Sequence, residues 1–313
     1  MICYVILHYM AEKMTVECVD ALKNHIDRTR DHVIIVDNHS TNDSGRNIQD
    51  KYRNEPWCTV IQNGKNEGFA RGNNVGYRLA RKMGADFVVV MNNDVIIDDP
   101  RFSEKLHALY DETGFDVYGP DILSMATGEH QNITRFPLTM EGIEKRTKIF
   151  ERIAAKTPYV FYREALKKMY RAFKKKVKRI IGYKCAANDS KPVPNKEAQE
   201  KNYNQPALHG ACLVFSKRYI RQEELAFNPN TFLYIEEEIL HAECSRKGYR
   251  MIYDPVIQVR HYEDVATNFV LTTAYQREHM KALEILRSLK VLKSVMEQEN
   301  QNSQGESIGE KLK

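Results

Sequence analysis

The sequence predicts an α/β protein with an open, doubly wound and mostly parallel sheet that carries helices on both faces. Two features of the first hundred residues predict this fold class. Short, continuous apolar runs alternate there with longer segments whose apolar residues recur at helical spacing. Continuous apolar runs between helices are typical of parallel strands buried on both faces, and right-handed crossovers then place helices on both sides of the sheet.

The predicted elements follow one another in a regular order. Strands are predicted at 2–9, 32–40, 59–63 and 87–91, and helices at 15–26 and 68–84. Further extended segments are predicted at 115–124, 209–217 and 251–262, with a helix inside 232–250 and a long amphipathic helix at 272–296.

The domain organisation follows from where this pattern breaks. Residues 140–205 are first basic and then rich in Pro, Asn and Lys, which predicts a basic helical insertion followed by a mobile loop. The polar end of the chain is typical of a disordered tail. We therefore predict a main domain at 1–265, and a C-terminal amphipathic helix with its tail at 266–313.

Composition narrows the class of protein. Hydrophobic residues make up 42% and charged residues 28% of the chain, which suits a globular protein with a substantial core. The sequence has no apolar run of about 18 residues, so it predicts no transmembrane helix. The opening MICYVILHYM lacks a basic leader and a cleavage site, so it predicts a strand instead of a signal peptide. Six scattered cysteines without a C-x-x-C pair argue against a zinc ribbon or a disulfide framework and indicate a cytoplasmic protein.

The positive charge is concentrated in one segment. Residues 163–184 contain ten Lys or Arg and one Glu, a local charge of +9, within a chain of net charge +5. The remainder therefore carries about −4, unlike a nucleic-acid-binding protein whose basic charge is spread over its fold. We expect no nucleic-acid partner.

Apolar residues within 162–184 recur at helical spacing and form one stripe between the cations. They are Leu166, Met169, Tyr170, Phe173, Val177, Ile180 and Ile181. Such a helix can lie on an anionic membrane, where each cation near the surface adds about 1 kcal/mol. The alternative is a helix packed on the core with a solvated basic face.

A chemical signal lies where the fourth strand ends. The apolar run of FVVVMNNDVIIDD, residues 87–99, leads into Asn92, Asn93 and Asp94. These residue types end strands and form turns for purely structural reasons. Open parallel sheets, however, bind ligands at the carboxyl ends of their strands, where Asp37 also lies.

The usual phosphate-binding loops are absent from the sequence. There is no G-x-G-x-x-G after the first strand and no G-x-x-x-x-G-K-[ST]. Gly68, Gly72 and Gly76 are four residues apart and indicate close helix packing. A diphosphate would therefore have to be bound in another way, for example through Mg²⁺ or Mn²⁺ held by Asp94.

Five motifs occur in the order in which one enzyme family carries them. They are VIIVDNHSTNDS, NEGFARGNN, MNNDV, HGACLVFSK, and FLYIEEE followed by GYRMIYDPVIQVRH. Through them, residues 1–265 resemble a family 2 glycosyltransferase of the GT-A fold, near the bacterial rhamnosyltransferase-like branch. MNNDV resembles the Asn-x-Asp version of that family's Asp-x-Asp metal motif. The chain departs from the family in having Asn92 for the first Asp of that motif, and Met10 where relatives often have Asn.

The resemblance implies a role for each matching residue. The nucleotide-sugar donor would be bound by His8, Tyr9, Asp37, Asn66, Gly68, Arg71, Asn74, Asn92 and Asn93. The acceptor side would be formed by His209, Gly210 and Ala211, and the metal, Mn²⁺ or Mg²⁺, would be held by Asp94 and His261. In this family Asp37 meets the nucleobase. The structural alternative is that Asp37 caps a turn and that His261 only supports the fold.

Inverting transfer needs a carboxylate that takes a proton from the acceptor hydroxyl. Residues 236–238 are three glutamates, whose side chains on a helix point about 100° apart. Comparison with the family's Glu-Asp pair selects Glu237 as the base, with Glu236 second. The alternative is that acidic residues simply favour the first turn of a helix.

The resemblance implies an inverting enzyme that moves a sugar from a UDP- or dTDP-sugar to a hydroxyl of a glycan or lipid-linked acceptor. The expected process is cell-surface polysaccharide synthesis, by a cytoplasmic protein that contacts the inner face of the plasma membrane through residues 162–184. One rival is a sugar-1-phosphate nucleotidyltransferase, whose Gly-rich, Arg-containing signature is missing from HYMAEKM. The other is a non-catalytic carbohydrate-binding or scaffold protein.

Overall fold

The structure is a computed structural model that describes residues 1–132, 137–167, 169, 203–204, 206–263 and 273–310. Its strands are β1 Ile2–His8, β2 His32–Asp37, β3 Cys58–Gln62, β4 Phe87–Asn92, β5 Val95–Ile96, β6 Val117–Ser124, β7 Tyr203–Asn204, β8 Cys212–Ser216 and β9 Met251–His261. Its helices are α1 Glu12–Lys23, α2 Ser44–Tyr52, α3 Gly68–Lys82, α4 Phe102–Thr113, α5 Met140–Ala154, α6 Lys217–Gln222, α7 Glu236–Lys247 and α8 Ala274–Glu310.

The described strands form one sheet of nine strands, in the order β3-β2-β1-β4-β8-β6-β9-β5, with β7 also paired to β9. Strands β3, β2, β1 and β4 are parallel. Strand β8 is antiparallel to both of its neighbours, β4 and β6. Strand β9 is parallel to β6, so β9 runs in the same direction as the first four strands.

Helices cover both faces of the sheet, as the sequence predicts. One buried cluster joins the sheet to α1, α2 and α4, and the other joins it to α3, α6 and α7. A third cluster packs α5, α7 and α8 together through residues such as Ile143, Ile239 and Leu289. The predicted α/β class is confirmed.

The glycines of α3 pack against β1. A Cβ atom on Gly72 would lie 2.6 Å from Leu7 Cδ1, and one on Gly76 would lie 2.5 Å from Val5 Cγ1. Real side chains do not approach so closely, so glycine lets the helix backbone lie directly on the strand. The predicted packing role is confirmed for these two positions.

Three helices, α2, α4 and the six-residue α6, have no counterpart among the predicted elements. Helix α2 is mostly polar, and its large buried apolar side chains are only Ile48 and Tyr52, which leaves a weak periodic signal. Helix α4 buries Phe102, Leu106 and Leu109, a spacing that does predict a helix.

The C-terminal helix is longer than predicted, and the basic insertion is only partly described. Helix α8 continues to Glu310, through much of the segment for which the sequence predicts disorder. That segment lacks proline and is rich in Glu and Gln, which are good helix formers. Within the predicted helix at 162–184, residues 162–167 and 169 are helical, and the others lie outside the described residues. In the part of the chain that the structure describes, no helix combines the length and apolarity of a membrane span.

Candidate active site

Three parallel strands bring polar residues to one edge of the sheet. In the β1–β2 pairing His8 lies opposite Asp37, and in the β1–β4 pairing Leu7 lies opposite Asn92. The carboxyl ends of these three strands therefore lie next to one another along one edge of the sheet. We call this edge the carboxyl edge.

Asp37 is buried at the carboxyl edge and is held by local contacts. Its Oδ1 accepts hydrogen bonds from the Ser40 hydroxyl at 2.6 Å and from the Ser40 N–H at 3.2 Å. A Cβ atom on Gly45 would lie 2.0 Å from Asp37 Oδ2, so the start of α2 fits closely over the carboxylate. Asp37 therefore makes the turn-capping contacts that the structural alternative predicts, and these contacts fix the direction of its carboxylate.

His8 lies beneath Asp37 with no exposed surface. Its Nδ1 is 2.7 Å from Thr15 Oγ1, and its Nε2 is 2.8 Å from Ser44 Oγ. Burial lowers the pKa of the imidazole, so a neutral ring is favoured. Because both ring nitrogens have protein partners, His8 supports the loops at the carboxyl edge instead of presenting an atom to a ligand.

Asn38 joins the end of β2 to the start of α3. Its Nδ2 donates to Asn66 Oδ1 at 3.0 Å and to the Gly68 carbonyl at 3.1 Å. Its Oδ1 accepts from the Glu67 N–H at 2.9 Å. Asn38 is not among the predicted site residues, although the signal existed, because a second polar residue directly follows Asp37 at the strand end.

Two predicted donor-binding residues on α3 are engaged by the chain itself. Asn74 is buried, donates to the Phe227 carbonyl at 2.8 Å, and accepts from the N–H groups of Ala226 and Phe227 at 3.0 Å. Arg71 Nε donates to the Pro229 carbonyl at 2.7 Å. Both side chains hold the 226–229 segment against α3, while Asn66 and Gly68 lie at the carboxyl edge.

Asp94 and His261 are brought together by the pairing of β5 with β9, in which Val95 lies opposite His261. His261 Nε2 is 3.3 Å from Asp94 Oδ1. Both residues are buried, and Asp94 Oδ1 has no hydrogen-bond partner among the described residues. A buried carboxylate oxygen without a donor is costly unless a cation or water completes its contacts.

The residues around Asp94 have different surroundings. Asn92 is half-buried at the end of β4, and its backbone N–H donates to the Ala211 carbonyl at 2.9 Å. Asn93 is buried, and its Nδ2 donates to Thr15 Oγ1 at 2.9 Å, away from the open edge. Tyr9 follows β1 and is half-buried.

The predicted acceptor-side residues lie next to His261 and to the candidate base, Glu237. The rings of His209 and His261 meet edge to face, with centroids 5.8 Å apart. The Gly210 N–H donates to Glu237 Oε1 at 3.0 Å. A Cβ atom on Gly210 would lie 2.7 Å from that same oxygen, so only glycine allows the carboxylate to approach. Residues 209–211 thus contact both His261 and Glu237.

The three glutamates that begin α7 point in different directions, as helical geometry predicts. Glu237 faces Gly210, and Glu238 Oε1 lies 3.7 Å from Arg146 Nη1. Glu236 is buried, and its Oε1 has no hydrogen-bond partner among the described residues. Burial, with a smaller contribution from the charge of Glu237, raises the pKa of Glu236 to about 8.

Strained backbone is concentrated around the carboxyl edge. In the described ranges, the non-glycine residues with positive φ are Met10, His39, Asp43, Tyr234, Ile235 and Glu263. Each follows a strand that ends at this edge or precedes α7. A positive φ is costly for a β-branched residue such as Ile235, whose φ is 69°. Such strain persists where surrounding contacts require it, and it is often found at functional sites.

Known structures share this architecture. S. aureus TarS 1-349 in complex with UDP-GlcNAc aligns with a TM-score of 0.51 and 14% identity, over 91% of this chain and 65% of that one. GalNAc-T7 with UDP, GalNAc and Mn²⁺ aligns with a TM-score of 0.55 and 10% identity, over 90% of this chain and 47% of that one. At these identities the likeness shows the fold, which is of the GT-A glycosyltransferase type.

The family is shown by the sequence match. Residues 3–169, more than half of the chain, match Glycosyl transferase family 2, and the chain belongs to that family. No curated protein sequence matches the chain. The chain spans about 60–65% of the aligned TarS 1-349 structures.

The pair of Asp94 and His261 fits a divalent cation. A carboxylate oxygen and an imidazole nitrogen are ligands that Mn²⁺ accepts, and Mg²⁺ accepts the oxygen. The described residues contain no group of three or more His, Cys, Asp or Glu placed to hold a metal. A cation here would therefore need further ligands, such as diphosphate oxygens.

The raised pKa of Glu236 predicts a pH-dependent stability. The folded state keeps a proton that the unfolded chain releases between the ordinary value of 4.5 and about 8. Through this group, stability therefore falls as pH rises across that range. We expect Glu236→Gln to be more stable than the parent at about pH 9, by at least about 1 kcal/mol, since one pKa unit corresponds to about 1.4 kcal/mol. The two proteins should be similar at about pH 4.

Urea unfolding across this pH range would measure the effect. Glu238→Gln is the matched control, because it removes the same charge from the same helical turn at a position that contacts Arg146. Parallel stability curves for Glu236→Gln and the parent would show that Glu236 is ionised in the folded protein at neutral pH.

Proposed function

We propose that the protein is an inverting glycosyltransferase of the rhamnosyltransferase-like branch. It transfers a sugar from a UDP- or dTDP-sugar to a hydroxyl of a glycan or lipid-linked acceptor in cell-surface polysaccharide synthesis. The observation that carries the proposal is that, in a family 2 chain, Asp94 lies 3.3 Å from His261, and the loop 209–211 contacts both His261 and Glu237. The folds of TarS, solved with UDP-GlcNAc, and GalNAc-T7, solved with UDP and Mn²⁺, are consistent with it.

The donor is proposed to lie along the carboxyl edge. Asp37 would accept a hydrogen bond from the nucleobase, and Asn66, which is hydrogen-bonded to Asn38, and Asn92, at the end of β4, would also contact the donor. Asp94 and His261 would hold Mn²⁺ or Mg²⁺, and such an ion would stabilise the negative charge of the departing diphosphate. His8 and Asn74 take part indirectly, because their contacts fix the loops that carry these residues.

The base is proposed to be Glu237. As the acceptor oxygen forms its bond to the anomeric carbon, the bond from that carbon to the diphosphate oxygen breaks. Glu237 takes the proton of the hydroxyl. The Gly210 N–H donates to one carboxylate oxygen of Glu237 and holds it in place. Glu236 is less suited to this role, since a group with a pKa near 8 is mostly protonated at neutral pH.

The membrane contact rests on the described part of the basic insertion. Residues 158–167 are helical, and Phe161 packs against Tyr275 of α8 with ring centroids 5.7 Å apart. On another side of this helix Leu166 and Met169 are 61% and 65% exposed. Tyr159 and Tyr162 are also exposed. The two stripe residues that the structure describes, Leu166 and Met169, are therefore open to solvent, which supports docking on anionic lipid over packing on the core.

The metal proposal predicts that Asp94→Ala abolishes stabilisation by nucleotide plus metal. A ligand that binds only the native state stabilises it by RT ln(1 + [L]/Kd) and so raises the unfolding temperature. We expect UDP or dTDP with Mn²⁺ to stabilise the parent but not the variant. Asp98→Ala is the matched control, because Asp98 lies four residues away and pairs with Arg260. Equal stabilisation of Asp94→Ala and the parent would exclude Asp94 as a ligand.

The base proposal predicts that Glu237→Gln lowers turnover at least about 10²-fold with donor binding nearly unchanged, because glutamine cannot accept the proton. Initial rates of transfer or of nucleotide-sugar hydrolysis, together with donor titration, would measure both quantities. Glu236→Gln is the comparison variant. A large loss in Glu236→Gln with an active Glu237→Gln would reverse the assignment.

The membrane proposal predicts salt-sensitive sedimentation with vesicles that contain anionic lipid. Binding should weaken as the screening length falls from roughly 10 Å at 0.1 M to 3 Å at 1 M salt. Replacing Lys174, Lys175, Lys176 and Lys178 by Gln should release the protein while activity on a soluble acceptor survives. The equal-charge control replaces Lys13, Lys51, Lys82 and Lys290. If the first variant sediments like the parent, the basic run is not the anchor.

A further inference from the structure

A chain of two hydrogen bonds ends on His261. The His261 Nδ1 lies 2.8 Å from Gln131 Oε1. Gln131 Nε2 in turn donates to Glu263 Oε1 at 2.6 Å. Gln131 and Glu263 belong to no motif singled out in the sequence, and they are 132 positions apart along the chain.

The chemistry of the three side chains sets the direction of this chain. An ionised carboxylate can only accept hydrogen bonds, so the amide nitrogen of Gln131 must face Glu263. The carbonyl oxygen of Gln131 then faces His261, and it can accept but not donate. The hydrogen of a neutral His261 ring therefore lies on Nδ1. This leaves the lone pair of Nε2 directed at the Asp94 side, where Oδ1 is 3.3 Å away.

We propose that Gln131 and Glu263 are positioning residues that keep His261 Nε2 free to bind a divalent cation together with Asp94. This inference rests on the metal centre of the proposed function. Without Gln131, the Asp94 carboxylate would draw the ring hydrogen to Nε2, and a direct bond between the two ligands would close the site. Outer hydrogen bonds of this kind typically change metal affinity about 10–100-fold.

Backbone hydrogen bonds fix the positions of Gln131 and His261 relative to each other. The Gln131 N–H donates to the Ile122 carbonyl at 2.9 Å, and the Met125 N–H donates to the His261 carbonyl at 2.8 Å. The turn after β6 is thereby fixed against the end of β9. Glu263 has a φ of 51°, a left-handed conformation that is uncommon for a residue with a side chain. This combination indicates that the direction of the Glu263 side chain is constrained.

The position of the hydrogen on the His261 ring can be measured in the metal-free protein. Long-range ¹H–¹⁵N spectra of the full chain, labelled at histidine, distinguish the two neutral forms at about pH 8.5, well above the ordinary histidine pKa of about 6.5. His261→Gln assigns the signal among the ten histidines. We expect Nδ1–H in the parent and a shift toward Nε2–H in Gln131→Leu and, less completely, in Glu263→Gln. Nε2–H in the parent would overturn the inference.

Metal affinity gives the second measurement. Titration with Mn²⁺ in the presence of UDP should show about 10–100-fold weaker binding for Gln131→Leu and a smaller loss for Glu263→Gln. Gln258→Leu is the matched control, because Gln258 lies on β9 but donates to Asp121. Thermal unfolding without ligand checks that each variant is folded.

The outcomes separate this inference from the function on which it rests. If the parent binds Mn²⁺ and Gln131→Leu binds it equally well with an unchanged ring hydrogen, the positioning role is wrong and the metal centre stands. If the parent does not bind Mn²⁺ with UDP, the metal centre is wrong, and with it the proposed purpose of the hydrogen-bond chain.

Discussion

Strand β1 has a parallel neighbour on each side, and the register of both pairings sets the level of the carboxyl edge. His8 lies opposite Asp37, and Leu7 lies opposite Asn92. A slip of one residue in either pairing would turn every side chain of a strand to the other face of the sheet. The close packing of α3 on β1 also depends on this register, because Gly76 must lie over Val5.

The C-terminal half completes the edge through strand direction. Strand β8 is antiparallel to β4, so its beginning, and not its end, lies at the carboxyl edge. This is why residues 209–211 come before the strand. Strand β9 runs parallel to β6 and delivers His261 with its final residue. The left-handed residues at the strand ends and before α7 show that the loops at this edge are shaped by neighbouring contacts and not by their own preferences.

The sequence predicts those parts of the site that leave a local signal. Asp94 follows an apolar strand, and the Glu triplet begins a helix, so both could be placed from pattern and family resemblance. The buried partners of His8 and Asn74 could not, because Thr15, Ser44 and Phe227 reach them only through tertiary contacts. A single sequence carries no record of such pairings. Of the basic insertion and loop predicted at 140–205, residues 168, 170–202 and 205 lie outside the described residues, and what the sequence predicts for them stays a prediction.

The carboxylates at the carboxyl edge give a reason for including a cation in the proposed reaction. Asp37, Asp94 and Glu237 place carboxylates along one edge, and within the described residues the ion-pair contact of Asp94 is with His261. Arg71 Nε donates to the Pro229 carbonyl, and Arg71 Nη1 lies 3.8 Å from Glu67 Oε2. An anionic diphosphate would be repelled by Asp94 alone, most strongly where burial weakens screening. In the proposed site, a divalent cation bound to Asp94 would reverse this effect and attract the diphosphate. Donor and metal binding should therefore be coupled, each strengthening the other by the same factor.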